Sequence, residues 1–347
     1  MHVVIASHHR LPVEGYGGPQ RVVVALVRGL AAHGHRVSVI AQPGTRLTEA
    51  SKVIEVAPSI LKNTGGDLSP FLPDGADILH AHFPLKRGPK DFPFVHTLHG
   101  NWKPGTPLPP NTIFLSRDHA KRHGSEAFVY NGLDPAEYIF RRRKEQWDLF
   151  LGRLHSDRGY HWAVDAAKRT GRRLIVAGGW RPSFTGVIKY VGEVGGKRKA
   201  VLLARARCLW MPAQWDEPFG LPTIEALLSG TPVLGTTRGA LPEILTPAVG
   251  AVCGTLDEMV AAAQTIGTRD PAACRAQGGA TSPAHRHRVA PSSAGTRIRW
   301  NAARGRGFDR RSRGTGPPRL TARTARHSRA RRHGDRRARR RAARTRG

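Results

Sequence analysis

The 347-residue sequence has few cysteines, few acidic residues relative to its basic ones, and no long apolar run. Its three cysteines, Cys208, Cys253 and Cys274, lack the spacing of a zinc site or a disulfide framework, which favours a reducing compartment. No apolar run approaches the roughly eighteen residues of a membrane span, and the N-terminus has no signal-peptide pattern. We therefore expect a cytoplasmic protein and leave peripheral membrane contact open.

Positive charge is concentrated near the C-terminus. Residues 278–347 contain twenty-two arginines, no lysine and two acidic residues, and so carry +20 of the formal net charge of +31. The segment has only four large aliphatic or phenylalanine side chains, too few to offset its chain entropy, so we predict a disordered arginine-rich tail. One interpretation is a nucleic-acid-binding tail. The other is a reading frame translated out of register, which the composition favours, so nucleic acid is not an expected partner.

The rest of the chain alternates short β-branched runs with helical patterns in two series. Apolar strands separated by crossovers predict two doubly wound parallel sheets and an α/β fold. A basic run at 141–144 reads as an exposed linker between the two series. The predicted strands are 3–6, 37–41, 78–81, 94–98 and 112–115 in the first series, and 149–152, 174–177, 188–191, 208–211 and 232–234 in the second.

The most specific signal is the segment 215–233, which reads Trp-Asp-Glu-Pro-Phe-Gly-Leu-Pro-Thr-Ile-Glu-Ala-Leu-Leu-Ser-Gly-Thr-Pro-Val. Pro218, Gly220 and Pro222 exclude a regular helix before about residue 221. Glu217 is therefore predicted in a loop, and Glu225 near the start of the helix that follows. The free backbone N–H groups of that helix start suit a diphosphate, and carboxylates beside it suit the hydroxyl groups of a sugar or ribose.

The seven-residue spacing of Glu217 and Glu225 resembles the Glu-x7-Glu motif of retaining glycosyltransferases with the GT-B fold, family four of the sequence classification. Three shorter segments occur earlier in the chain, in the same order as in the family: Asn-Gly-Leu-Asp at 131–134, Gly-Arg-Leu at 152–154 and Asp-Arg-Gly at 157–159. The Tyr-Gly-Gly-x-Gln and Gly-Glu-Val-Gly-Gly segments are most similar to the avilamycin-pathway type of actinomycetes. The resemblance implies two Rossmann-like domains facing across a cleft, an N-terminal acceptor domain at 1–140 and a C-terminal donor domain at 141–277.

The resemblance also implies a site in which a nucleotide-sugar donor binds mainly to the C-terminal domain. Glu217 would hold donor-sugar hydroxyls, and His99 would reach the donor sugar from the N-terminal domain. Arg153 and Arg158 would stabilise charge on the leaving diphosphate. The implied donor-binding residues are Gly17, Gly18, Gly192, Phe219, Gly220, Leu221 and Glu225, with Glu225 on the ribose. From the residues alone, His99 could instead be a structural histidine, and the two arginines surface charges.

Transfer would proceed with retention of anomeric configuration to a hydroxyl of a glycan, lipid or natural-product acceptor. No Asp-x-Asp motif occurs, and neither carboxylate nor cysteine accompanies His80, His82 and His96. We therefore expect no metal and no cofactor beyond the nucleotide-sugar co-substrate.

Two features depart from the family pattern. Arg158 stands where the family has a lysine, which keeps the charge but changes the geometry offered to phosphate. The arginine-rich segment begins where the family has a terminal helix that crosses back to the N-terminal domain. The alternatives are thus another GT-B chemistry such as epimerisation or phosphorolysis, a nucleic-acid-binding protein, or an inactive transferase-derived protein.

Overall fold

The computed structural model describes residues 1–281 apart from 14, 16, 63–66, 86 and 184. Within these residues the chain forms two parallel six-stranded sheets, and the predicted α/β class with two Rossmann-like domains is confirmed. The predicted tail lies outside the described residues from 282 onward. None of the helices in the described part is long and apolar enough to cross a membrane.

The first sheet has the strand order β3-β2-β1-β4-β5-β6. All five predicted strands are present, whereas β3 was not predicted because this four-residue edge strand is only partly buried. The elements are β1 His2–Ala6, α1 Gly18–Ala32, β2 Arg36–Ala41, β3 Lys52–Glu55, α2 Pro58–Lys62, β4 Ile78–Ala81, β5 Phe94–Thr97, β6 Thr112–Ile113 and α3 Arg117–Arg122.

The second sheet has the order β12-β11-β10-β7-β8-β9. The predicted helix start at residue 221 is confirmed. The elements are β7 Trp147–Leu151, α4 Tyr160–Thr170, β8 Arg173–Ala177, β9 Ile188–Tyr190, α5 Gly196–Arg205, β10 Leu209–Met211, α6 Leu221–Leu228, β11 Val233–Thr236, α7 Leu241–Ile244, β12 Gly250–Cys253, α8 Leu256–Thr265 and α9 Pro271–Thr281.

Both sheets are buried on their two faces, as parallel sheets require. In β1, Val3 and Ile5 pack into one apolar cluster, while Val4 and Ala6 pack into another. The second sheet also carries a buried ion pair: Arg207 donates to both carboxylate oxygens of Asp148 at 2.7 Å. Because Asp148 lies on β7 and Arg207 lies two residues before β10, this pair ties together the two central strands.

The strand order of each sheet reverses between two neighbouring strands. In the first sheet the reversal lies between β1 and β4, and in the second between β7 and β10. At such a point the loops leaving the carboxyl ends of the two strands diverge, and the crevice between them is the usual ligand site of an open α/β sheet. The fold therefore predicts a site among the loops after β1, β4, β7 and β10.

The helix α9 closes the described chain and packs on α6. Its Gly278 comes so near α6 that an added Cβ would lie 2.9 Å from the backbone nitrogen of Leu228. Its Arg275 donates to the carbonyls of Tyr138, at 3.2 Å, and Pro135, at 2.8 Å, in the segment between the sheets. The helix continues through Thr281, four residues beyond the predicted end of the donor domain. The composition therefore changes inside this helix, whose small residues pack on α6.

Candidate active site

The second sheet presents two loops at its point of reversal. The loop after β7 contains Arg153 and Arg158, and the loop after β10 contains Trp215 and Glu217. A cavity of about 260 Å³ lies between these loops. It is lined by Arg153, His155, Asp157, Arg158 and Trp215. The two predicted diphosphate ligands therefore share one cavity wall.

Glu217 is buried beside this cavity and paired with the other loop. Its Oε2 accepts from Arg158 Nη1 at 2.6 Å and from Trp215 Nε1 at 3.0 Å. Burial raises the pKa of the Glu217 carboxyl, while the charge of Arg158 and the hydrogen bonds from Trp215 and the Gly220 backbone oppose that rise. The charge of the Glu217 carboxylate is therefore balanced by Arg158, which comes from the loop after β7.

Arg158 is held on two sides. Its guanidinium lies 4.7 Å from the centre of the Trp215 ring, a cation–π contact, in addition to the ion pair with Glu217. Gly159 follows it at φ 65°, and an added Cβ there would lie 1.7 Å from the carbonyl oxygen of Pro212. Only glycine allows the loop after β7 to approach the loop after β10 so closely, and this approach brings Arg158 to Glu217.

Glu225 lies in α6 and is surrounded by donors that the sequence did not reveal. Its Oε1 accepts from Arg21 Nη1 at 2.9 Å, from the Tyr138 hydroxyl at 3.3 Å and from Lys199 Nζ. Burial lowers the pKa of Lys199, and the neighbouring carboxylate opposes that shift. Burial and the same carboxylate raise the pKa of Tyr138. No hydrogen bond to Oε2 is seen among the described residues.

The remaining donor-binding candidates lie around the start of α6. Gly220 precedes it at φ 81°, and Phe219 is buried with its ring 5.8 Å from that of Tyr130. Gly18, at the start of α1, faces Leu221 so closely that an added Cβ would lie 3.0 Å from Leu221 Cδ1. The predicted glycine loop of the first domain and the predicted phosphate-binding helix of the second are thus in contact.

The two remaining predicted site residues, Gly192 and His99, follow strands β9 and β5. Gly192 follows β9 at φ 73°, with open space where a Cβ would stand. His99 follows β5, and its Nε2 lies 2.9 Å from Nδ1 of the buried His82. Burial, followed by neighbouring histidines, lowers the pKa of His99 to about 3 and that of His82 well below its usual range. Both rings are therefore neutral at physiological pH, and His99 can act as a hydrogen-bonding group but not as a cation.

Two further contacts join the domains near these residues. Asn101, two residues after His99, donates to the carbonyl of Asp216 at 2.8 Å, which brings the His99 loop to the Glu217 loop. Glu243 lies in the first turn of α7. It also accepts from the Tyr130 hydroxyl at 3.3 Å and the Asp118 backbone at 3.4 Å.

Within the described residues no group of three His, Cys, Asp or Glu side chains could hold a metal ion.

Comparison with protein families gives two adjacent matches. Residues 16–142 match the model described as Glycosyltransferase Family 4, and residues 146–268 match the model described as Glycosyl transferases group 1. The two matched ranges correspond to the two sheets, which meet across the contacts just described. This fold and this arrangement define a glycosyltransferase of the GT-B class. The two models together match 250 of the 347 residues, so the chain belongs to the glycosyltransferases, with a Family 4 domain followed by a group 1 domain.

Individual relatives agree with that assignment. Glycogen synthase of Mycobacterium tuberculosis is 30% identical over 169 residues, covering 42% of this chain. The chain spans about two fifths of the length of this curated relative, 41%. AviGT4, a glycosyltransferase involved in avilamycin A biosynthesis, is 27% identical with a TM-score of 0.68, over 82% of this chain and 94% of that chain.

HepE of Anabaena has been solved in complex with UDP-glucose. It superimposes with a TM-score of 0.54 at 15% identity, over 81% of this chain and 99% of that one. At this identity the likeness shows a shared fold.

Proposed function

We propose that the protein transfers a sugar, with retention of anomeric configuration, from a nucleoside-diphosphate donor to a hydroxyl of its acceptor. The observation that carries this proposal is the contact between Arg158 and Glu217 at the cavity where the sheet order reverses. A basic pair that lines a cavity, with a buried carboxylate beside it, suits a ligand that combines a diphosphate with a sugar. The UDP and UDP-glucose bound by HepE have this chemistry.

In the proposed complex the diphosphate occupies the cavity beside Arg153 and Arg158. Arg158 is released in part from Glu217, because phosphate oxygens offer its guanidinium a bidentate partner of higher charge. Backbone N–H groups at the start of α6 supply further donors. These groups stabilise the charge that develops on the leaving diphosphate, which is the main electrostatic demand of the reaction.

The two acidic side chains have separate tasks in this proposal. Glu217, relieved of Arg158, accepts hydrogen bonds from donor-sugar hydroxyls. Glu225 accepts from ribose hydroxyls through Oε2, since its other oxygen already has three donors. His99 approaches the sugar from the first domain as a neutral hydrogen-bonding group.

No enzymic nucleophile is needed for front-face transfer. The acceptor hydroxyl attacks the anomeric carbon as the bond to the diphosphate breaks, and the leaving phosphate oxygen takes the hydroxyl proton. The new glycosidic bond then forms on the face that the diphosphate leaves, which preserves configuration. No metal ion takes part in this proposal, because the basic side chains supply the charge that a cation would.

The test is a panel of nucleotide-sugars assayed for thermal stabilisation of the protein and for release of the nucleoside diphosphate. A donor that does both establishes the substrate class. The anomeric configuration of the sugar transferred to water or to an acceptor, read by NMR in the first minutes, then decides between retention and inversion. A folded protein that responds to no donor would instead support the inactive, transferase-derived alternative.

A further inference from the structure

Arg21 links two parts of the site that come from different domains. It lies in α1 of the first domain, three residues after Gly18. Its Nη1 donates to Glu225 Oε1 at 2.9 Å, and its Nη2 donates to the backbone carbonyl of Gly15 at 3.0 Å. One guanidinium therefore holds the glycine loop of the first domain and the α6 carboxylate of the second.

The surroundings of Glu225 make this link more than a surface ion pair. The Glu225 side chain is 5% exposed and that of Lys199 is 10% exposed, while Arg21 is 27% exposed. Within the second domain, the ammonium group of Lys199 is already sufficient to balance the charge of the Glu225 carboxylate. Arg21 adds a second cation, and it is the one that reaches across from the first domain.

The orientation of Glu225 follows from these donors. Arg21, Lys199 and Tyr138 all donate to the same oxygen, Oε1. This fixes the rotation of the carboxylate and leaves Oε2 turned away from the three donors. A ligand hydroxyl that donates to Oε2 therefore meets a carboxylate whose position depends partly on the glycine loop.

We propose that Arg21 is a positioning residue that couples ribose binding at Glu225 to the position of the glycine loop at Gly15. The inference rests on the proposed function, in which Glu225 holds the ribose. Arginine is required because its planar fork serves two acceptors at fixed separation, which a lysine ammonium does not do. Donor binding at Glu225 therefore stabilises the position of Gly15 through Arg21.

The first test uses the free protein. Amide hydrogen exchange over residues 11–20 is compared in the wild type, Arg21→Gln and the matched control Arg28→Gln. Arg28 lies two turns further along α1 and pairs with the partly exposed Glu49 and the exposed Glu137. We expect exchange in the loop to rise about tenfold in Arg21→Gln, the size of one lost charge-assisted hydrogen bond, and to stay unchanged in Arg28→Gln. Equal loop exchange in all three proteins would overturn the proposal.

The second test adds a nucleotide. Uridine diphosphate is titrated into the wild type, Arg21→Gln, Arg21→Lys and Glu225→Gln, with guanosine and adenosine diphosphates in parallel. We expect the nucleotide to protect the loop in the wild type and not in Arg21→Gln, whose affinity falls about tenfold. Arg21→Lys, which keeps the charge without the fork, should recover only part of both effects. Full recovery of loop protection by lysine would count against the bridging role.

The two tests also separate this inference from the proposed function. Failure of the wild type to bind any nucleoside diphosphate would contradict the proposed function, while exchange in the free protein still decides whether Arg21 holds the loop. In a double-mutant cycle, the effects of Arg21→Gln and Glu225→Gln on nucleotide affinity should be non-additive. Additive effects would show that the two residues act independently and would contradict the coupling.

Discussion

Arg158 and Glu217 form an ion pair 2.6 Å long between loops that lie 59 residues apart in the chain. The sequence predicted both residues in the site, each with its own part of the donor as partner. In the structure they are each other's partner. Donor binding must therefore exchange or share this contact, which makes the pair the first target for mutation.

Replacing Arg158 by alanine should lower turnover by a factor on the order of 10² to 10³, since it removes one cation from the leaving diphosphate. Glu217→Gln should lower turnover as well, through lost hydrogen bonds to the sugar. Turnover with the best donor, compared with that of the exposed control Arg169→Ala, checks both. Wild-type turnover in folded Arg158→Ala protein would rule out the assigned role.

Gly159→Ala tests how the Arg158 loop is held. An added Cβ would lie 1.7 Å from the Pro212 carbonyl oxygen, so the loop must move and carry Arg158 away from Glu217. We expect lower thermal stability and weaker nucleotide binding together. Gly171→Ala is the matched control, because Gly171 has φ 66° against 65° at Gly159 but open space around its Cβ position. That control should cost only about 1 kcal/mol and leave nucleotide binding intact. Equal behaviour of the two variants would refute the close approach as the cause.

We expect mutation of the buried Asp148–Arg207 pair to lower the stability of the protein without changing the chemistry of the reaction. Arg207 is 9% and Asp148 1% exposed, so Asp148→Asn leaves a buried guanidinium without its charge partner. We expect a loss of about 3–5 kcal/mol in the free energy of unfolding, measured in urea. The exposed pair of Arg169 and Asp257 supplies the contrast, since Asp257→Asn should cost no more than about 1 kcal/mol. Similar losses in both variants would show that burial does not control the contribution of the pair.

Because several histidines are buried, we expect the folded protein to lose stability in acid. Burial lowers the pKa of His96 to about 4 and that of His119 to about 3. The unfolded chain therefore takes up protons at these sites below about pH 6.5, while the folded protein does not until the pH falls below about 4. Stability should fall as pH drops through this window. His96 contributes at most about 3 kcal/mol of that loss.

A pH series of urea unfolding measures this effect. In His96→Gln the slope of unfolding free energy against pH between 4 and 6 should be smaller than in the wild type. An unchanged slope would mean that His96 is protonated in the folded protein as readily as in the unfolded chain.

Much of the fold was predictable because it depends on local patterns. The strands of both sheet centres are short apolar runs, and Pro218 and Gly220 fix the start of α6 through backbone geometry alone. The edge strand β12 was not predicted, because its Gly-Ala-Val-Cys run has little strand character and depends on pairing with β11. The helix α9 was not predicted for the same kind of reason, since it depends on packing against α6.

The site was predictable only in part. The motif spacing predicted Glu217 and Glu225, and the structure adds the partners that surround them. Arg21 is separated from Glu225 by 204 residues and Tyr138 by 87, and no local pattern in either segment indicates that they meet. Such contacts depend on how the two domains face each other, which a one-dimensional pattern does not contain.

The central claim is that a nucleoside-diphosphate donor binds at the Glu217–Arg158 cavity. A crystal structure of the protein with uridine diphosphate, or with whichever nucleoside diphosphate gives the largest thermal shift, tests it most directly. The diphosphate should lie against Arg153, Arg158 and the start of α6, with a ribose hydroxyl on Glu225 Oε2. A nucleotide bound elsewhere, with the Arg158–Glu217 contact and the Oε2 position untouched, would contradict it.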